Sequence, residues 1–133
     1  MTADIIKFDP RFLYLLDTSF GKDGLPLPFV QEIFLMQCHV AGTPYNENIQ
    51  DLEPELKEQD PLIFKREADN KIDSLAILIL DKGGRKIGYV PRAKNEVIAR
   101  LMDAGKFIFG KIERKQWQGN WLKIDVKVFM RDM

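Results

Sequence analysis

Two side chains stand out for the chemistry that they could do. Tyr45 follows Gly42 and Pro44 in a stretch that predicts a loop. A ring presented on a loop can stack on a base, which is worth ~1–3 kcal/mol, or it can pack on the rim of the domain. Asp73 lies in the polar loop 67–74. Its carboxylate can accept a hydrogen bond from a terminal hydroxyl while repelling phosphate, or it can bond its own backbone in a turn.

A second group of candidates is basic. Residues 82–94 contain five basic side chains and no acidic one. Side chains of this type contact phosphate groups, although a charged run also occurs as a solvated face. The candidates for phosphate contact are Lys86, Arg92 and Lys94 in this run, and Lys65 and Arg66 at the end of an earlier predicted strand.

The composition limits the classes of function. The 133 residues predict one domain with its own core. Lysine plus arginine equals aspartate plus glutamate at 20 each, so the overall charge predicts no partner. Cys38 is the only cysteine, which excludes an internal disulfide, and the adjacent His39 should point to the opposite face of a strand. We therefore expect no metal and no cofactor, and we expect His39 to lie in the core or to line the barrel.

The N-terminal sequence gives an expectation about location. MTADIIKFDP lacks the basic and long apolar regions of a signal peptide. The apolar runs of the chain are too short to span a bilayer. These patterns predict a cytoplasmic protein with no membrane partner.

The chain that carries these side chains divides into two parts. Residues 1–28 read as an N-terminal extension, with a short helix over 11–16 and a loop at GKDGLPLP. Residues 29–133 read as the domain. Apolar patterns bounded by turn residues predict six strands in it. Those strands cover residues 32–41, 62–66, 75–80, 86–90, 106–116 and 121–131.

The remaining elements fit a small β-barrel. One main helix is predicted over 95–104, with Asn95 as a possible N-cap and Val97, Ile98, Leu101 and Met102 on one face. Ile98 and Leu101 should be buried if this face lies on the barrel. The acidic segment 46–60 should contain a short helix near 49–52. Apolar residues on both faces predict that the first strand is buried. An antiparallel sheet with exposed edges is a liability, so we expect a closed or nearly closed barrel.

Three stretches together resemble the HIRAN family: CHVAGTPY, PLIFKREADNKIDSLAILI and GRKIGYVPRAKNEVIARLMDAG. Their order and spacing fit from about residue 33 to the C-terminus. The resemblance implies an OB-like β-barrel with a groove for single-stranded DNA, which in the best-understood members captures a free 3′ end. Such domains occur alone in bacteria and fused to helicase-like fork-remodelling ATPases in eukaryotes.

The resemblance also implies roles for particular residues. Tyr45 matches a stacking aromatic, and Asn70 and Asp73 match the loop that meets the terminal sugar. Tyr89 and Arg92 match polar and basic groups at the strand-to-helix corner. The chain departs from the DNA-binding type at two positions. They are Pro44, where an arginine can occur, and Ile72, where a second aromatic occurs.

Three classes of function follow. The first is a single-stranded DNA or 3′-end binding module without catalysis, acting at damaged DNA or stalled replication forks. The chain lacks the pattern GxxxxGK[ST], so a helicase or nuclease would have to act in trans. The second is a protein-interaction module, which the acidic segment 46–60 and the two departures favour. The third, a hydrolase, finds little support in a single histidine.

Overall fold

The computed structural model describes residues 31–132, which form one curled antiparallel sheet of six strands with two short α-helices. The strands lie side by side in the order β1-β6-β5-β2-β3-β4. Their bounds are β1 Gln31–His39, β2 Pro61–Arg66, β3 Ile77–Leu80, β4 Lys86–Tyr89, β5 Phe107–Gln118 and β6 Trp121–Asp132. The helices are α1 Ile49–Leu52 and α2 Asn95–Asp103. The predicted mainly β, OB-like architecture is therefore confirmed, and the predicted helix over 11–16 lies outside the described residues.

The two edges of the sheet meet at one point. Beyond the end of β1, the backbone of Ala41 pairs with Tyr89 of β4 through N–H to O distances of 2.7 and 2.9 Å. Gly88 makes this approach possible, because a Cβ there would lie 2.4 Å from the carbonyl oxygen of Ala41 and 2.5 Å from Val40 Cγ1. Glycine is thus required where the backbones come closest.

The core lies inside the curl. Alternate residues of each strand point inward, as period-2 geometry demands. In β6 these residues are Leu122, Ile124, Val126 and Val128, all buried, as the alternation with polar residues predicted. The prediction of a doubly buried first strand is wrong, because β1 is an edge strand with mostly exposed side chains. The prediction that His39 lies in the core or lines the barrel is also wrong, because its side chain is exposed and packs edge-to-face on Trp121 with ring centroids 6.2 Å apart.

The helix α2 packs one face on this core. Ile98 is fully buried, as predicted, whereas Leu101 is only partly buried. Val97 points to solvent, so its predicted place on the buried face is wrong. Asn95 is not the N-cap either, because the helix begins at Asn95 and its N-cap is Lys94. None of the helices within 31–132 is long and apolar enough to cross a membrane.

Candidate functional site

A groove of about 440 Å³ lies beside the point where the sheet edges meet. It collects residues from the segment after β1, the loop between β2 and β3, and the corner between β4 and α2. Five of the eight predicted site residues line it: Tyr45, Asn70, Asp73, Tyr89 and Arg92. The other lining residues are Ala41, Gly42, Ile72, Ala76, Val90 and Asn95.

Tyr45 ends a 3-10 turn, Thr43–Tyr45, that is anchored on its buried side. Gly42 precedes the turn at φ +84°, a value that favours glycine. The buried hydroxyl of Thr43 donates to the carbonyl oxygen of Leu122 at 2.8 Å, and the amide of Asn46 donates to that of Lys86 at 2.8 Å. The turn is therefore held at both ends while the Tyr45 side chain is 89% exposed.

The loop between β2 and β3 is shaped by Asn70. Its side-chain oxygen accepts hydrogen bonds from the backbone N–H groups of Ile72 at 2.9 Å and Asp73 at 3.1 Å. Its amide nitrogen donates to a carboxylate oxygen of Glu67 at 3.0 Å. These bonds set the path of the loop and leave the side chain of Ile72 83% exposed at the groove.

The carboxylate of Asp73 is held from two sides. One oxygen accepts from the backbone N–H of Leu75 at 2.9 Å, and the other accepts from the amide of Asn95 at 2.8 Å. The second oxygen also lies 3.6 Å from Nε of Arg92. The hydrogen bonds from Leu75 and Asn95, with a smaller contribution from Arg92, lower the pKa of Asp73. Asp73 thus bonds its own backbone in a turn, which was one of the two roles predicted for it, and it also presents a fixed anion to the groove.

Tyr89 joins the same polar network. Its hydroxyl donates to a carboxylate oxygen of Glu67 at 2.9 Å. Burial and the neighbouring Glu67 raise the pKa of Tyr89. The Nζ atom of Lys86 lies 5.0 Å from the ring centroid, within cation–π range. Glu67 therefore connects the strand β4 to the Asn70 loop.

The predicted basic residues are distributed unevenly. Arg92 lines the groove with a side chain that is 74% exposed. Arg66 lies outside the groove and donates to both carboxylate oxygens of Asp103, at 2.9 and 3.1 Å, which lowers the pKa of Asp103. Lys94 donates to the carbonyl oxygen of Gln37 at 2.8 Å, and Lys65 pairs with Leu78 along the sheet. As phosphate contacts, all five basic candidates remain predictions: Lys65, Arg66, Lys86, Arg92 and Lys94.

Two residues of this site were not expected from the sequence. Asn95 was interpreted as a helix cap, but it is buried and holds Asp73. Glu67 was grouped with a polar loop, but it accepts from both Asn70 and Tyr89. The sequence shows only that Asn95 is an amide residue near the predicted start of a helix. Its hydrogen bond to Asp73, 22 positions earlier in the chain, becomes visible only in three dimensions.

The pair Cys38 and His39 gives no sign of a reactive site. Burial raises the pKa of the Cys38 thiol to about 11, so it stays protonated at neutral pH. In the described part of the chain, no group of three or more histidine, cysteine, aspartate or glutamate side chains is placed to hold a metal ion.

Taken together, the groove offers an exposed ring, an exposed aliphatic side chain and one charged end. Tyr45 and Ile72 supply surface for a flat apolar ligand group. Asp73 supplies an acceptor and Arg92 a nearby donor. Such a set can bind a base together with the sugar or phosphate attached to it.

Comparison with known proteins places these features in a family. The profile of the HIRAN domain matches residues 33–131. No curated protein matches the sequence.

Solved structures agree on the fold. A crystal structure of a Lactobacillus plantarum protein has a TM-score of 0.73 at 23% identity, covering 78% of this chain and 99% of that one. The crystal structure of the HIRAN domain of human HLTF has a TM-score of 0.59 at 16% identity, covering 75% and 78%. The NMR structure of the HLTF HIRAN domain in its DNA-bound conformation has a TM-score of 0.53 at 16% identity, covering 74% and 79%.

Proposed function

This chain belongs to the HIRAN domain family, and from that premise we propose that it binds single-stranded DNA in the groove between Tyr45 and the Asn70 loop. One observation carries the proposal. Side chains that lie up to 47 positions apart in the sequence, from Tyr45 to Arg92, gather in a single groove. The DNA-bound structure of the HLTF domain, which shares this fold, supports DNA as the class of ligand.

Stacking supplies the affinity in this proposal. The ring of Tyr45 is exposed and carried on an anchored turn, so it needs no rearrangement to meet a base. Stacking of this kind tolerates any base, because every base has a π-face. Ile72 adds an aliphatic contact in place of a second ring.

Asp73 gives the site a preference for a 3′ end. A free 3′-hydroxyl donates a hydrogen bond to its carboxylate, whereas an internal linkage or a 3′-phosphate brings a second negative charge. The bonds from Leu75 and Asn95 fix the carboxylate before the ligand arrives. Asn70 and Tyr89 shape this end of the groove around the terminal sugar.

Phosphate contacts contribute modestly. Arg92 is the exposed basic side chain that lines the groove, and the carboxylate of Asp73, 3.6 Å from its Nε, partly offsets its positive charge. We therefore expect log affinity to fall with log salt at a slope of about −0.7 to −1.4, which corresponds to one or two contacts. Arg92→Gln should reduce that slope by roughly 0.7, and Arg66→Gln should change it less because Arg66 is paired with Asp103.

The module has no catalysis of its own in this proposal. It brings a helicase or nuclease, acting in trans, to free ends at damaged DNA or stalled forks. A protein-interaction role is the second candidate. The observation that favours it is the acidic segment 46–60, although Glu55 and Glu53 in it are already paired with Arg85 and Lys115.

The test compares three forms of one short oligonucleotide, ending in a 3′-hydroxyl, ending in a 3′-phosphate, or circularised. Binding is measured by fluorescence anisotropy at low salt. We expect tighter binding of the 3′-hydroxyl form by about tenfold or more. Equal binding of all three forms would refute the end preference but would leave the proposal that DNA binds in the groove. The absence of binding to every form would refute the DNA proposal and favour the protein-interaction role.

A further inference from the structure

The outer face of the sheet carries a continuous apolar row. Directly paired positions on five neighbouring strands all hold large apolar side chains. From β1 to β3 the row reads Phe34, Phe129, Phe109, Ile63 and Leu80. The rings of Phe109 and Phe129 stack with centroids 5.6 Å apart, and Phe34 meets Phe129 edge-on at 5.8 Å.

Together with Leu78 and Phe107, three members of this row form an outer cluster that is separate from the core inside the curl. The members of the outer cluster are Ile63, Leu78, Leu80, Phe107 and Phe109, with Tyr89 and Phe129 packed against them. Phe109 is 0% exposed and the other four are also buried, whereas Phe34 at the edge is 52% exposed. A sheet face this apolar is normally covered by another layer of structure.

The described helices do not provide that layer. From α2, Ile98, Ala99, Leu101 and Met102 pack in the core inside the curl, as does Ile49 of α1. Within residues 31–131, the outer cluster consists only of strand residues. Two strand residues cover part of the row: Lys111 Nζ lies 6.0 and 5.2 Å from the ring centroids of Phe109 and Phe129, and Arg131 Cζ lies 5.8 Å from that of Phe109. The rest of a covering layer must come from another segment.

We propose that residues 5–20 of the same chain dock on the outer cluster and form this second layer. Nine large apolar or aromatic side chains fall within those sixteen positions, too many for a solvated tail. They are Ile5, Ile6, Phe8, Phe12, Leu13, Tyr14, Leu15, Leu16 and Phe20. Thirty residues precede β1, and they lead into the strand close to the outer cluster. Glu32, the second residue of β1, pairs with Arg131, which pairs with Phe107 of the outer cluster.

The distances are easily covered. Five strands spaced ~4.8 Å apart span roughly 19 Å. An extended chain covers that distance in about six residues at ~3.3 Å each, so residues 5–20 can reach every part of the outer cluster. In this proposal residues 5–20 belong to the folded domain.

The first measurement is made on the full chain by methyl-labelled NMR. We expect nuclear Overhauser contacts between methyl groups of residues 5–16 and the rings of Phe107, Phe109 and Phe129. A sample that mixes two differently labelled populations shows whether the contacts are within one chain. Absent contacts, or contacts seen only between chains, would overturn the proposal, the second pointing to an exchanged segment or a dimer.

The second measurement is thermal unfolding of full-chain variants. Phe12→Ser with Leu16→Ser removes two apolar side chains four positions apart in the sequence and should lower Tm by roughly 10 °C or more. The matched control, Lys7→Ser with Arg11→Ser, changes the same segment without removing a large apolar side chain and should shift Tm by about 2 °C at most. Equal shifts for the two double variants would contradict docking through apolar contacts.

Discussion

Tyr45→Ala tests the groove most directly, because it separates binding from folding. The side chain of Tyr45 is 89% exposed, so its ring contributes little to the packing of the free protein. We expect its removal to change the free energy of unfolding by less than ~0.5 kcal/mol, a shift in Tm of about 2 °C or less. Loss of one stacked base should cost ~1–3 kcal/mol of binding, which weakens Kd by roughly 5- to 150-fold.

The assay is fluorescence anisotropy with an oligonucleotide of about ten nucleotides, labelled at its 5′ end so that the 3′ end stays free. Tyr45→Phe keeps the ring and should bind within about twofold of the parent. Trp117→Ala is the matched control, since Trp117 is a partly exposed ring that does not line the groove. The loss should be the same for 3′-hydroxyl and 3′-phosphate ends, because stacking does not depend on the end group.

Two results would refute this reasoning. Unchanged affinity of Tyr45→Ala would assign Tyr45 to the rim and remove stacking from the proposal. An equal loss in Trp117→Ala would place the DNA near the β5–β6 hairpin instead.

Four further predictions address the remaining parts of the site and the fold that supports it. Ile72→Phe adds a second ring to the groove and should tighten binding by about fivefold or more, and weaker binding would show that the added ring blocks the groove. Asp73→Asn should reduce an expected tenfold preference for 3′-hydroxyl over 3′-phosphate to roughly threefold or less, whereas Asp69→Asn, an equal charge change in the same loop, should not. Because hydrogen bonds lower the pKa of Asp73, its carboxylate stays charged where an ordinary aspartate begins to be protonated, so binding of the 3′-hydroxyl strand should hold from pH 7 down to at least about 4; a loss above that pH would exclude Asp73 as the acceptor. Gly88→Ala should destabilise the fold by about 3 kcal/mol in chemical denaturation, because its Cβ would overlap the Ala41 carbonyl, and Gly83→Ala, which meets only ordinary contacts, should cost under ~1 kcal/mol.

The sequence by itself determined the elements of this domain. Six strands and the main helix appear close to their predicted positions, because alternation in β6 and helical spacing around Ile98 are local patterns. Loop positions in the sequence drew attention to Tyr45 and Asp73, and the resemblance to the HIRAN family made them candidate site residues.

Tertiary structure decided what those elements do. The position of β1 at the sheet edge, and hence the exposure of His39, depends on strand order, which no local pattern encodes. The groove exists because Ala41 meets Tyr89 across the sheet. Asn95 reaches Asp73 over 22 positions of sequence, and Arg66 is engaged by Asp103. Contacts between residues far apart in the chain are set by packing, so only the folded structure shows which charges line the groove and which are already paired.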